Sequence, residues 1–537
     1  MLKKKTQQII KAFGVWMLSL ILCLGAAVPA YAAVTENTKG SIRITGAEPN
    51  VIVQPYQLMT VNIEEGTPKD PAYSWVEPQM KDWVHANYPQ YDDTNEFNNT
   101  VSASDLKAFY SKLAADIKNP AKEVSALPAV QSATVDENGV CELTNLPMGN
   151  YLLLMSRGFK VYQPTVVNLI PAWDEDEEDW GLAPVEIDGE DLKGEEPSIE
   201  KTVNDGKDKD DAAIGDVIPY EIKATIPTYP EGATNKIYNI SDTLSEGLTF
   251  NPGSLKAFLN DVELTAGDDY VIASGSELGN KTFKLVFNYD KLKARKGGEW
   301  EDSDRIRVTY TATLNDKAKV TTGNENEAHL EYSNNPYGDG TNDKEPGTKP
   351  KVYTYGIIVN KKTDSETPEF LPGAEFELKK GNDKFYFIKE SDGKYRVAKS
   401  GDTGATTTLK VGEDGDPKGK LEIRGLDLGT YTLTETKAPG GYNKLREPYT
   451  LILRDEVDDS GDNPEPGMDG TLETTQTDKG TANGGNYEVT VLNKKGFELP
   501  VTGGRGTIMF TVGGILLIAL AGAVLVISRR RNSESEA

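Results

Sequence analysis

Cysteine and histidine are scarce in this sequence, which has two of each among 537 residues. A structural zinc site or a histidine-based catalytic triad therefore has few residues to draw on. Basic residues are also in the minority, since 58 Lys and Arg stand against 84 Asp and Glu, giving a net charge of −26. This balance excludes a nucleic-acid partner that needs a basic patch. We predict that the protein is not an enzyme and has neither a cofactor nor a metal site.

The N-terminus has the features of a secretory signal. Four lysines within the first eleven residues precede the apolar stretch VWMLSLILCLGAAV, and the small residues Ala30 and Ala32 follow it. This order predicts a signal peptide over residues 1–32, cleaved between Ala32 and Ala33. A retained membrane anchor is the alternative, but the apolar stretch is short. The exported chain then keeps a single cysteine, Cys141, so it has no intramolecular disulfide available.

The C-terminus combines three features. Residues 507–527 are uncharged and mostly apolar, and as a helix they would extend about 32 Å, enough to cross a bilayer. The arginines at 529–531 would hold the C-terminus in the cytoplasm and leave the bulk of the chain outside. Just upstream is a pentapeptide formed by Leu499, Pro500, Val501, Thr502 and Gly503.

Residues 497–537, which contain these features, resemble the cell-wall sorting signal of Gram-positive surface proteins. The resemblance implies that a sortase cysteine attacks the Thr502 carbonyl, releases Gly503 and all that follows, and passes the acyl group to an amine. The apolar helix would then be a temporary tether. The alternative is a permanent membrane protein with one span.

Between these ends the sequence predicts three domains. Residues 197–352 and 353–496 each contain short segments of alternating apolar and polar residues, separated by Gly, Asn and Asp clusters. This pattern predicts a β-sandwich in each range. Residues 33–196 contain similar segments together with an acidic run at 174–179. The run could bind calcium, although a solvated loop is the simpler interpretation.

The first domain also contains a helical pattern over residues 101–118. Ser102 and Asp105 have the spacing of a capping box. The apolar residues that follow share one helical face: Leu106, Phe109, Tyr110, Leu113 and Ile117. We predict a mainly β protein of tandem β-sandwiches, the first of which carries a helical insertion at about 75–120.

Two of the predicted sandwiches turn a lysine, an acid and an asparagine toward the core. Because strand side chains alternate with period two, Glu435 follows Tyr431 and Leu433 on the inward face of its strand. The same alternation turns Lys361 and Asn493 inward in the C-terminal domain. In the middle domain it gives the same order along the chain, with Lys201, Asp242 and Asn334.

Such a trio can form an amide bond between lysine and asparagine. Burial lowers the pKa of a lysine, which favours the nucleophilic neutral amine. Burial also raises the pKa of a carboxylic acid, which can then donate a proton to the asparagine carbonyl while ammonia leaves. The alternative is an ordinary ion pair at the edge of each core. The repetition of the trio and the lack of disulfides favour the amide bond.

The segments GAEFEL and YTLTETKAPGGY resemble CnaB-type modules of Gram-positive sortase-assembled pilins, and KTV with HLEYSNNP resembles their middle fimbrial domain. The resemblance covers nearly all of residues 197–504 and, more loosely, residues 33–196. It implies immunoglobulin-like, CnaB-type sandwiches with two isopeptide bonds: Lys201 to Asn334 assisted by Asp242, and Lys361 to Asn493 assisted by Glu435. Lys362 and Asn335 are the alternative nucleophile and acceptor.

The first domain departs from this pattern. Its segment NYLLLMSR aligns with YTLTET, but the inward residues are Tyr151, Leu153 and Met155, so a thioether takes the place of the acid. Its first strand, SIRIT, contains no lysine. We predict no isopeptide bond in this domain.

In the family, a backbone subunit supplies a lysine near the end of its first domain, usually within a YPKN-like motif, and this amine resolves the acyl-enzyme of the next subunit. This sequence lacks YPKN, and the one lysine between Val161 and Glu200 is Lys193. The resemblance implies a secreted, wall-anchored subunit of a covalently polymerised surface pilus, with sortase, neighbouring subunits and peptidoglycan as partners. The alternative is a monomeric wall-anchored adhesin or ancillary pilin that binds a host or surface ligand.

Overall fold

The computed structural model describes residues 34–496, apart from 176–177, 321, 348, 416–417, 455–470, 475–480 and 484–485, together with 512 and 514–526. The predicted signal peptide with its cleavage site at Ala32 and Ala33, and the pentapeptide from Leu499 to Gly503, lie outside the described residues. Residues 514–526 are helical. No helix in the described part of the chain is long and apolar enough to cross a membrane. The membrane span over 507–527 therefore stays a prediction.

The fold is mainly β, as predicted, and the described residues divide into two compact units. One unit takes the residues up to Lys209 together with Val217–Thr313 and Glu325–Lys351. The other takes Asp210–Asp216, Leu314–Asn324 and the residues from Val352 onward. Each described strand pairs with strands of the same predicted domain, although the last strand of the middle domain runs to Tyr353.

The N-terminal strands form a four-stranded path β3-β2-β6-β8, to which β4 adds beside β2, a sheet β11-β1-β5, and the pairs β9-β10 and β7-β12. The first two sheets enclose a core that includes Ile42, Val53, Leu143 and Leu153. The strands are β1 (Lys39–Thr45), β2 (Ile52–Glu64), β3 (Thr67–Trp75), β4 (Ala133–Thr134), β5 (Cys141–Pro147), β6 (Gly149–Ser156), β7 (Val161–Tyr162), β8 (Thr165–Leu169), β9 (Ala172–Asp174), β10 (Asp179–Gly181), β11 (Val185–Asp188) and β12 (Gly194–Glu195).

The predicted helical insertion is present as α1 (Gln79–Asn87), α2 (Thr94–Thr100) and α3 (Ala103–Ile117). Ser102 caps α3 as the predicted capping box requires, since its hydroxyl accepts a hydrogen bond from the Asp105 backbone N–H at 3.2 Å, and this hydroxyl also donates to the Asp105 Oδ2 at 2.6 Å. The apolar face of α3 packs with aromatic residues against the outer face of the β2-β6 sheet. Of the five residues predicted on this face, all but Leu106 are buried.

The middle strands form a sheet β13-β15-β21-β17-β18 and a sheet β14-β24-β22-β16-β20-β19, in which β23 also pairs with β22. The strands are β13 (Ile199–Val203), β14 (Lys209–Asp211), β15 (Val217–Thr225), β16 (Tyr238–Leu244), β17 (Leu248–Leu259), β18 (Val262–Glu263), β19 (Tyr270–Ile272), β20 (Phe283–Phe287), β21 (Arg305–Leu314), β22 (Asn324–Tyr332), β23 (Asn342–Lys344) and β24 (Lys351–Tyr353). A short helix that the sequence analysis did not predict, α4 (Tyr289–Arg295), follows β20.

The C-terminal strands form a sheet β28-β29-β31-β25-β36-β35 and a sheet β27-β26-β32-β33-β34, to which β30 adds beside β26. The first and last long strands, β25 and β36, pair in parallel. The strands are β25 (Tyr355–Thr363), β26 (Glu375–Lys380), β27 (Asp383–Lys384), β28 (Tyr386–Ser391), β29 (Lys394–Ala398), β30 (Leu409–Lys410), β31 (Lys420–Leu426), β32 (Gly429–Lys437), β33 (Tyr449–Arg454), β34 (Thr471–Thr474), β35 (Thr481–Asn483) and β36 (Asn486–Asn493).

Candidate isopeptide sites

The middle sandwich buries a lysine between an acid and an asparagine. Lys201 lies on β13, Asp242 on β16 and Asn326 on β22, and each is at most 1% exposed. The Lys201 Nζ donates to the Asp242 Oδ2 at 2.5 Å and to the Asn326 Oδ1 at 2.5 Å. The amine is therefore in contact with the amide whose carbon it would attack.

Two stacked tyrosines complete the walls of this site. The Lys201 Nζ lies 5.5 Å from the ring centroid of Tyr220 and 5.7 Å from that of Tyr310. The Tyr310 hydroxyl donates to the Asp242 Oδ2 at 3.0 Å and accepts from the Asn326 Nδ2 at 2.7 Å. Tyr310 thus fixes the acid and the amide relative to each other. The sequence analysis did not predict this role for a tyrosine.

Burial shifts both ionisable groups toward their neutral forms. It lowers the pKa of Lys201 to about 8, although the charge of Asp242 acts in the opposite direction. Burial raises the pKa of Asp242, against the effects of Lys201 and the Tyr310 hydroxyl. The Asp242 Oδ1 has no hydrogen-bond partner among the described residues. A neutral amine beside a protonated acid is the arrangement that amide formation needs.

The structure corrects the predicted acceptor in this domain, because Asn334 and Asn335 are both away from Lys201. The Asn334 Nδ2 donates to the Gly158 carbonyl at 2.9 Å, and the Asn335 Nδ2 donates to the Asp339 carbonyl at 3.1 Å. Asn326 lies near the start of β22, whereas Asn334 follows the end of that strand at Tyr332, and eight residues of extended chain span about 26 Å. Alternation identified the inward face and did not identify which asparagine on it lies beside the lysine.

The C-terminal sandwich buries Lys361 on β25, Glu435 on β32 and Asn493 on β36, each at most 1% exposed. In the parallel pairing of β25 with β36, Lys361 lies opposite Val491 and Thr363 opposite Asn493. The lysine and the asparagine are therefore one pleat apart on neighbouring strands. The Lys361 Nζ donates to the Val491 carbonyl at 3.0 Å.

Hydrogen bonds orient the acid and the amide in this second site. The Glu435 Oε2 accepts from the Asn493 Nδ2 at 3.1 Å and from the Leu445 backbone N–H at 2.8 Å. The Asn493 Nδ2 also donates to the Asn443 carbonyl at 2.7 Å. Among the described residues, the Glu435 Oε1 and the Asn493 Oδ1 have no partner. The lysine amine could therefore approach these two buried oxygens, and the Glu435 Oε1 could accept a proton from it.

Burial lowers the pKa of Lys361 to about 8, although the charge of Glu435 opposes the shift. The neighbouring lysine, which was the alternative nucleophile, is in a different environment. The Lys362 Nζ lies 4.7 Å from the ring centroid of Phe370, and this residue is only partly buried. The strand phase therefore selects Lys361 for the core.

Matches to known families cover the middle, the C-terminal and the anchoring parts of the chain. A family described as Gram-positive pilin backbone subunit 2, Cna-B-like domain, matches residues 214–336. A prealbumin-like fold domain matches residues 356–463, and the LPXTG cell wall anchor motif matches residues 492–534.

Similar proteins that align over longer parts of the chain agree with these matches. The trypsin-resistant surface T6 protein of Streptococcus pyogenes serotype M6 is 29% identical over 381 residues, which cover 62% of this chain and 69% of that protein. Fimbrial subunit type 1 of Actinomyces viscosus is 25% identical over 534 residues, covering 87% and 93%. The chain is a Gram-positive, sortase-assembled pilin. It is a structural subunit of a surface pilus that is anchored to the cell wall.

A solved structure supports the fold of the pilin. The T6 backbone pilin of S. pyogenes serotype M6 aligns with a TM-score of 0.55 at 18% identity, covering 86% of this chain and 99% of that one. The published description of that protein gives it a modular three-domain structure. At this identity the likeness concerns the fold alone.

The N-terminal domain of the pilin differs from the other two in its core. Among the described residues, the buried lysines are Lys201 and Lys361, which belong to the other domains. Tyr151, Leu153 and Met155 lie in the N-terminal core, where strand alternation placed them. The thioether of Met155 therefore takes the inward position at which the aligned YTLTET segment of the C-terminal domain carries Glu435.

Lys193 lies in this domain, between a 3₁₀ turn at Gly189–Asp191 and strand β12. Its side chain is exposed, and its carbonyl accepts a hydrogen bond from the Gln163 N–H at 2.8 Å. It borders a cleft of about 400 Å³ whose apolar lining comes from α3 and the segment before β8. An amine fixed at its backbone and exposed at its tip is accessible to an enzyme.

Proposed function

We propose that the pilin is the backbone subunit of its pilus and that it cross-links itself through two isopeptide bonds. The bonds join Lys201 to Asn326 and Lys361 to Asn493, assisted by Asp242 and Glu435. The observation that carries this proposal is the contact of the buried Lys201 amine with both the acid and the amide oxygen. A second buried trio in the C-terminal domain supports it independently.

The reaction needs no outside reagent. The neutral Lys201 amine attacks the Asn326 Cγ, and the protonated Asp242 donates to the amide, stabilising the charge that develops on its oxygen. A proton from the amine then passes through Asp242 to the Asn326 Nδ2. The Cγ–Nδ2 bond breaks and ammonia leaves, so one amide replaces another. In the C-terminal site the Lys361 amine attacks the Asn493 Cγ in the same way, and Glu435 passes a proton from the amine to the Asn493 Nδ2.

The mass of the exported chain tests both bonds. We expect the intact mass of the purified protein, measured by mass spectrometry, to be lower than the mass calculated from the sequence by two ammonia molecules. Tryptic peptides containing Lys201 and Asn326 should be recovered as one branched species, and those containing Lys361 and Asn493 as another. A measured mass equal to the calculated mass would reject both bonds.

We further propose that sortase cleaves the pilin between Thr502 and Gly503 and joins Thr502 to Lys193 of a neighbouring subunit, and that the last subunit is joined to peptidoglycan. The sorting pentapeptide supplies the acyl donor. The exposure of Lys193 beside an apolar cleft supports its role as the acceptor amine. Repetition of this step along a chain of subunits gives a covalent shaft.

Replacement of Lys193 is expected to abolish polymerisation. In the native bacterium, wild-type pilin should form a ladder of SDS-resistant multimers, and the Lys193→Arg variant should give monomer alone, because arginine retains the charge without a nucleophilic amine. Lys107→Arg is the matched control, since Lys107 is exposed on the same cleft and should leave the ladder intact.

Immunoblots of cell-wall extracts provide the measurement. A ladder that persists in Lys193→Arg would reject this lysine as the linkage. One wall-linked species in the wild type would favour the alternative function, a monomeric adhesin or ancillary pilin with a host or surface ligand.

A further inference from the structure

A buried histidine in the middle domain faces a group of acids away from the isopeptide site. His329 lies on β22 and is 7% exposed. Its Nδ1 is buried and has no hydrogen-bond partner among the described residues. This nitrogen faces the Asp343 Oδ2 at 3.3 Å and the Glu345 Oε1 at 3.9 Å. Such a buried polar atom, aimed at two carboxylates, calls for a ligand between them.

The strand pairing assembles this group. Strand β23 runs antiparallel to β22, with Asp343 opposite Glu331 and Lys344 opposite Leu330. This pairing holds Asp343, and Glu345 directly after the strand, beside His329. One ligand atom from each of Glu327, His329 and Glu345 lies within 4.8 Å of the others.

We propose that His329, Asp343 and Glu345 form a binding site for a divalent transition-metal ion, and zinc is the ion that fits best. Imidazole nitrogen with two carboxylate oxygens suits zinc, whereas calcium and magnesium prefer ligand sets made of oxygen alone. A tetrahedral zinc ion with bonds of about 2.1 Å separates its ligands by about 3.4 Å. The His329 Nδ1 lies 3.3 Å from the Asp343 oxygen and 3.9 Å from the Glu345 oxygen, so its distances to both carboxylates are close to that value.

Glu327 completes the arrangement on the other side of the ring. Its Oε1 lies 4.0 Å from the His329 Nε2, beyond hydrogen-bond distance, and a shift of about 1 Å would let it accept from the ring N–H and orient a metal-bound histidine. A bound ion would tie residues 343–345 to strand β22. The small number of histidines led us to predict no metal site, but three protein ligands and water need only one histidine.

Lys349 competes with such an ion. Its Nζ forms an ion pair with the Glu327 Oε1 and another with the Glu345 Oε2 at 3.2 Å. The lysine partly neutralises the acids in the absence of metal, so its removal should strengthen metal binding. This competition separates a metal site from a simple network of ion pairs.

Zinc titration of the exported chain tests the site. Isothermal titration calorimetry, on protein without a histidine tag, should give one zinc ion per chain, and equimolar calcium should not displace it. His329→Gln, Asp343→Asn and Glu345→Gln should each weaken binding at least tenfold, and Lys349→Gln should strengthen it. His85→Gln is the matched control, since His85 pairs with Asp92 on the surface and should leave binding unchanged.

Each variant must keep the two-ammonia mass deficit and the circular dichroism of the wild type, so that loss of binding is not loss of fold. An absence of zinc binding would overturn the proposal. Equal affinity in wild type and His329→Gln would overturn it as well, because the ion would then be held by surface carboxylates. Weaker binding in Lys349→Gln would also overturn the proposal, because the ion would then not occupy the position beside the acids that Lys349 neutralises.

Discussion

Replacement of Asn326 by alanine should restore one ammonia to the mass of the pilin, whereas replacement of Asn334 by alanine should leave the wild-type mass unchanged. The Lys201 Nζ contacts the Asn326 Oδ1 at 2.5 Å, and Asn334 donates to the Gly158 carbonyl instead. Both variants remove the same amide group, one from β22 and the other from the segment that follows this strand. Comparison of the two variants therefore shows whether the mass change depends on contact with Lys201 or on the loss of any asparagine in this region.

The same substitution should lower stability strongly. A cross-link from residue 201 to residue 326 closes a loop whose size corresponds to about 4–5 kcal/mol in the chain-entropy account. For a domain of this length, that loss lowers the melting temperature by roughly 10–20 °C. It also leaves Lys201 buried and unreacted, which adds to the cost.

Differential scanning calorimetry and trypsin resistance provide the measurements. Asn334→Ala should cost only about 1 kcal/mol, the value of the hydrogen bond that it removes. The assignment would be wrong if Asn334→Ala lost the ammonia deficit and Asn326→Ala kept it.

Sequence alternation predicted that Lys201 and Asp242 are buried together, but the asparagine in contact with Lys201 is Asn326 and not the predicted Asn334. Alternation along a strand gives the face on which a side chain lies, and Lys201, Asp242 and Asn326 follow it. It does not give the position along the strand, which depends on how β16 and β22 are aligned. In the observed register, Asp242 lies opposite Ala328 and Leu244 opposite Asn326. That register is set by packing and by long connections, which local sequence does not report.

The C-terminal trio was easier to predict. Lys361 and Asn493 lie near the ends of strands that pair in parallel, so both inward phases end at the same edge of the sheet. Lys362 was separable from Lys361 by phase alone. The helical insertion was also predictable, because Ser102 caps a long apolar stripe. Tyr310 and His329 were not, since their roles depend on neighbours distant in sequence.

Glu435→Gln is expected to leave the C-terminal bond unformed while keeping the fold of its site. Glutamine retains an oxygen that can accept from the Asn493 Nδ2 and the Leu445 N–H, but it cannot transfer a proton. The mass should show a deficit of one ammonia, from the middle domain alone. A mass deficit of two ammonia molecules in this variant would exclude Glu435 as the assisting acid.

The unreacted Lys361 of this variant should make stability depend on pH. Burial sets its pKa at about 8 in the folded protein, and in the unfolded chain a lysine has a pKa of about 10.4. Between these values the unfolded state binds more protons, so stability rises with pH, by about 3 kcal/mol across the full window. The charge of Glu435 raises the pKa of Lys361. Its loss in the variant therefore does not reduce the expected rise of stability with pH.

Urea unfolding at pH 7.5 and pH 10 measures this rise against two controls. Wild-type pilin, in which the proposed bond turns the Lys361 amine into an uncharged amide, should lack the added rise, because an amide does not titrate. The double variant Lys361→Met/Glu435→Gln should lack it too, although it also cannot form the bond. Ordinary surface lysines and tyrosines titrate equally in all three proteins. The difference in pH dependence between Glu435→Gln and the two controls therefore reports on Lys361 alone. Equal pH dependence in the three would mean that Lys361 is not a buried, neutral amine before it reacts.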